Sequence, residues 1–65
     1  MRVEELKKGM RVELHPATDT WMRGDRYGEV VSVPTRGRPD GRVMIHLDKS
    51  GKKLYFRPED IMSEV

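Results

Sequence analysis

The sequence predicts an all-β fold, a small and strongly bent antiparallel barrel of about five strands with a short 3-10 turn before the last. Three observations carry this expectation. Short stretches of alternating or β-branched residues recur along the chain at residues 10–14, 28–33, 43–47 and 54–56. Each is closed by its own turn residues, among them Pro39-Asp40-Gly41 and Lys49-Ser50-Gly51. Finally, Arg57-Pro58-Glu59-Asp60-Ile61 breaks the alternation, with proline at a first helical position followed by two acids, the pattern of a single 3-10 or α turn.

The elements follow in order. Val3 and Leu6 are spaced as on a helix turn and Lys7-Lys8-Gly9 reads as a stop, so residues 1–8 are either a short lead-in helix or a frayed terminus. In the first strand Met10, Val12 and Leu14 share one face and Arg11 and Glu13 the other, because side chains alternate along a strand. His15-Pro16 ends it, since proline cannot donate to a ladder. Residues 16–27 read as a long irregular loop holding Trp21, Tyr27 and a Gly24-Asp25 turn; loops of this length are often functional. In the second strand, 28–33, both faces are partly apolar, as suits a bent strand, with Gly28 permitting the bend. Val43, Ile45 and Leu47 form the inner face of the third strand, opposed by Met44, His46 and Asp48. The Lys49-Ser50-Gly51 turn places glycine at the left-handed position of a three-residue hairpin. Leu54 and Phe56 then face the core and Lys53, Tyr55 and Arg57 face outward. Residues 61–65 are expected as a short last strand.

Sixty-five residues make one domain, 1–65. A chain this short buries only about 60% of its unfolded surface. It has no cysteine, which removes disulfides and cysteine-based zinc sites. No apolar run approaches the roughly 20 residues of a membrane span, and the start of the chain lacks the apolar core of a signal peptide. The expectation is a soluble, cytoplasmic protein, a monomer or weak homodimer. The net charge of +2 is small, so the distribution tells more than the total. Residues 49–57 hold Lys49, Lys52, Lys53 and Arg57 and no acid, Arg36, Arg38 and Arg42 cluster in one loop, and Glu59, Asp60 and Glu64 make the tail acidic.

The layout resembles the SH3-like barrels: strand, long first loop, strand, shorter loop, hairpin, 3-10 turn, final strand. The likeness covers residues 9–65 and rests on Gly9-Met10-Arg11-Val12, on Tyr27-Gly28-Glu29-Val30-Val31-Ser32-Val33, on the third strand with its turn, and on Arg57-Pro58-Glu59-Asp60-Ile61. The opening glycine and valine are similar to the start of a KOW-type or Tudor-like barrel, and the overall layout is similar to the small peripheral subunit of photosystem I. The resemblance implies the fold and not the job, because this fold hosts many unrelated functions. Two features depart from functional members. The Ala-Leu-Tyr-Asp-Tyr start and paired tryptophans of peptide-binding SH3 domains are absent, which argues against proline-motif binding. The Gln-Ile-Tyr run of the plasmid-type trimethoprim-resistant dihydrofolate reductases is replaced by Lys53-Leu54-Tyr55-Phe56.

No residues assemble a catalytic motif. His15 and His46 are the only histidines, with no pattern placing either beside Ser32, Ser50 or Ser63, and a serine nucleophile needs such a base. Asp19 and Asp25 read as turn-capping carboxylates. Histidine and carboxylate spacing fits no metal site, and no cofactor is expected. The chain therefore reads as a non-enzymatic binding module. Nucleic acid is the favoured ligand, on Lys53, Tyr55, Arg57 and His46, flanked by Arg36, Arg38 and Arg42. Basic residues would neutralise phosphates and Tyr55 would stack on a base. The alternative is a protein-interaction or assembly subunit using Trp21, Tyr27, Met44 and Tyr55. Trp21 has two readings, an exposed stacking platform or a cover for the open end of the barrel.

Overall fold

The computed structural model describes residues 1–34 and 41–65. Its five antiparallel strands are β1 (Arg11–Leu14), β2 (Tyr27–Ser32), β3 (Val43–Leu47), β4 (Lys53–Phe56) and β5 (Ile61–Glu64). They form one sheet in the order β4-β3-β2-β1-β5. Sequential strands are neighbours except that β5 returns to pair with β1, as Val12 with Glu64 and Leu14 with Ile61. β4 and β5 are thus the two edges. A 3-10 turn at Pro58–Asp60 precedes β5 as the proline predicts, with the Arg57 amide donating to the Asp60 carboxylate at 3.3 Å.

Period-two alternation builds the core. Val12, Leu14, Val30, Val43, Ile45, Leu47 and Ile61 are 0–1% exposed, and Leu6 and Phe56 join them. Among the described residues no helix is longer than one turn. The lead-in packs onto this core through Leu6 and Met1. Residues Val3–Glu5 form a 3-10 turn rather than a frayed end, Leu6 is buried, and the Met1 nitrogen donates to the carbonyl oxygens of Pro58 and Ile61.

Three local expectations are corrected. The first loop is not wholly irregular: Asp19–Met22 makes a single α-helical turn, α1, capped by Thr18, whose hydroxyl accepts from the Trp21 amide at 3.2 Å. Thr18 is the type of residue that satisfies an orphan helix amide, and a helix of one turn leaves no periodicity to read. Gly28 serves close approach rather than a bend. A Cβ there would lie 2.5 Å from the Ile45 Cγ2 and 2.8 Å from the His46 carbonyl oxygen. The irregularity of β2 falls later, between Val30 and Ser32, a β-bulge that leaves Val30 inside and Val31 half-buried. Leu54, expected in the core, is 39% exposed. It lies opposite Ile45 on the inner face, but on an edge strand where no further strand covers it. Gly51 takes a φ of +72° in the β3–β4 turn, as its sequence position predicts.

Candidate nucleic-acid interface

The candidate face is built by the pairing of β3 with β4. The ladder sets Val43 against Phe56, Met44 against Tyr55, Ile45 against Leu54 and His46 against Lys53. Since Val43, Ile45 and Leu47 point into the core, Met44 and His46 point outward, each with its cross-strand partner beside it. Tyr55 is 60% exposed. One step beyond the last pair, Arg42 and Arg57 stand at the same end of the ladder, both exposed. The outer surface of these two strands therefore carries Arg42, Arg57, Lys53 and His46 around a Met44–Tyr55 centre, with the carboxylate of Asp48 just beyond the end of β3. Arg36 and Arg38 lie outside the described residues.

Another acid enters at the next strand. Glu29 on β2 sits opposite His46, and Arg11 on β1 sits opposite Glu29. The row Lys53, His46, Glu29, Arg11 crosses four strands with mixed sign. Arg11 also pairs with Asp48 in a half-exposed ion pair, a contact that salt screens. Arg57 has Glu59 3.8 Å away, with both side chains mostly exposed. The positive surface is thus confined to β3 and β4.

The residues of the alternative reading do not form one patch. Met44 and Tyr55 are cross-strand neighbours on the outer face. Tyr27 opens β2 rather than ending the first loop and is 43% exposed. Trp21 is half-buried against the core cluster, with the Arg26 guanidinium 3.9 Å from its ring centre. Its ring thus packs on the core on one side and carries a cation–π contact with Arg26. Its indole Nε1 is buried and has no hydrogen-bond partner among the described residues.

The histidines serve local structure or face solvent. His15 Nδ1 accepts from the Ala17 amide at 3.0 Å, and His46 is exposed. Among the described residues no group of three His, Cys, Asp or Glu side chains is placed to hold a metal ion.

One residue has a larger role than its sequence context shows. Asp25 is 6% exposed, and its two carboxylate oxygens accept from the Lys49 amide at 3.1 Å and the Ser50 amide at 3.2 Å. It ties the first loop to the β3–β4 turn. Burial works against its charge, but the Ser50 and Lys49 hydrogen bonds and the nearby Lys49 ammonium outweigh that, so its carboxyl titrates below the usual range. Gly24-Asp25 marks a turn in the sequence, and nothing local announces a partner more than twenty residues away.

Comparison of the chain with protein-family models, with curated proteins and with solved structures finds no match.

Proposed function

We propose that this chain is a non-enzymatic binding module that takes nucleic acid on the outer face of β3 and β4. The observation that carries the reading is the cross-strand arrangement of Met44–Tyr55 and His46–Lys53, extended by Arg42 and Arg57. Lys53, Arg42 and Arg57 neutralise phosphates, and binding falls with salt as counterions are released. Tyr55 offers a ring face to a base, a contact worth about 1–3 kcal/mol in single-strand binders.

The test is a titration into labelled single- and double-stranded DNA and RNA at two salt concentrations. Replacing Lys53 and Arg57 by alanine weakens binding across sequences and reduces the salt slope by about two. Unchanged affinity and slope in that variant sink the assignment. A second reading rests on Tyr55, exposed on edge strand β4, and its neighbour Met44 on β3: an adaptable apolar contact for a protein partner. Such binding barely changes with salt, which separates the two classes.

A further inference from the structure

The acid-free stretch 49–57 is divided by strand alternation between two surfaces. Lys53, Tyr55 and Arg57 go to the outer face, whereas Lys52 and Leu54 turn to the other side. There, between the β3–β4 turn and α1, lies a cavity of about 320 Å³ lined by Thr20, Arg23, Asp25, Leu47, Lys49, Ser50, Lys52 and Leu54. That volume sits at the lower end of the range for small-molecule sites.

Its chemistry is two-part. Leu47 is buried and Leu54 is 39% exposed, so an apolar wall meets solvent at an inner-face position. Arg23, Lys49 and Lys52 supply three cations against one carboxylate, Asp25. Both oxygens of that carboxylate accept from the turn amides, and among the described residues none of the three cations lies within salt-bridge distance of a carboxylate. The Lys49 Nζ lies over Gly24, 2.8 Å from where a Cβ would stand. The local charge is about two positive units, the complement of a phosphate monoester, which carries about −1.5 to −2 at neutral pH.

We infer that this cavity binds a small organic phosphate monoester, its phosphate held by Arg23, Lys49 and Lys52 and its planar or apolar body laid on Leu47 and Leu54. Multiple cations around one dianion give charge-assisted hydrogen bonds, which are stronger than neutral ones, and the leucines favour an ester over the bare ion. The site stands on the opposite side of β4 from the proposed nucleic-acid face and does not depend on it.

The test is an amide NMR titration of the whole chain with adenosine 5′-monophosphate, adenosine and inorganic phosphate. The nucleotide shifts the amides of Thr20, Arg23, Lys49, Lys52 and Leu54 saturably at about 1 mM or below. Adenosine and phosphate are each about tenfold weaker. Lys49→Ala with Lys52→Ala weakens the nucleotide about tenfold, and Leu54→Glu abolishes the shifts while peak dispersion shows an intact fold. Absence of saturable shifts overturns the proposal, as does equal binding of nucleotide and inorganic phosphate, which marks an adventitious ion only. A tetranucleotide with and without a 5′-phosphate separates the sources. Preference for the phosphorylated form assigns the monoester to a strand end, and equal binding assigns it to a free nucleotide.

Discussion

Gly28 lies so close to Ile45 that a Cβ at position 28 would stand 2.5 Å from the Ile45 Cγ2 and 2.8 Å from the carbonyl oxygen of His46. The second contact is with backbone, which cannot swing aside. Gly28→Ala therefore has to part β2 from β3 at the centre of the sheet. The expected loss is about 1–3 kcal/mol, or a fall in Tm of about 4–8 °C for each kcal/mol. Gly9→Ala is the control: it meets nothing within 4 Å, and only its φ of +89° resists the change, at about 1–2 kcal/mol. Thermal unfolding followed by circular dichroism ranks the two. A Gly28→Ala protein as stable as the parent would refute the close-approach argument.

Asp25 makes stability depend on pH in a defined direction. Its carboxyl is held below the ordinary value of 3.8, so the unfolded chain takes up a proton before the folded one does. The contribution is complete above about pH 4–5 and is lost as pH falls through the folded pKa. Asp25→Asn flattens that acid limb. Asp25→Ala, which leaves the Lys49 and Ser50 amides without acceptors, costs about 1–3 kcal/mol at neutral pH. Urea unfolding at a series of pH values reads both. Parallel acid limbs for the parent and Asp25→Asn would show that Asp25 does not carry the dependence.

Leu54 and Phe56 are inner-face neighbours with different burial, 39% and 7% exposed. Phe56→Ala is expected to cost about 3–5 kcal/mol, a large share of the stability of so small a domain. Leu54→Ala removes a side chain that is already partly in water and costs well under half as much. Equal losses in urea melts would mean that Leu54 is covered in solution.

Glu29 stands beside His46, next to the proposed nucleic-acid face. Glu29→Gln removes the nearest carboxylate on β2. Affinity for single-stranded nucleic acid rises about threefold at low salt, and the gain fades as salt is raised. A gain that persists in high salt would point to a shape effect instead of charge.

Much of this fold was legible because it is written in local alternation and turn chemistry. Val43, Ile45 and Leu47 have period-two spacing, Gly51 occupies the position that needs positive φ, and Pro58 opens the 3-10 turn. These signals need only neighbours in sequence. What escaped depends on distant partners. Leu54 reads as core from its spacing, but its exposure is set by β4 being an edge. Asp25 reads as a turn residue because its acceptor role is toward the Lys49 and Ser50 amides. The outer face was readable as a set of residues, since alternation alone sends Lys53, Tyr55 and His46 outward. The limit that Glu29 sets on that face required the β2–β3 register, and a bulge in β2 obscures that register.

The return of β5 to β1 has a consequence for how the chain reaches its native state. Val12 must find Glu64, and Leu14 must find Ile61, so one side of the first strand stays unpaired until the last strand has left the ribosome. The hairpins of β1 with β2, β2 with β3 and β3 with β4 close over short separations, whereas this final pairing closes nearly the whole chain and bears its loop entropy. Until β5 docks, the chain presents an incomplete sheet with a bare β1 edge and a core that Ile61 has not yet sealed, the kind of species that invites pairing with other chains.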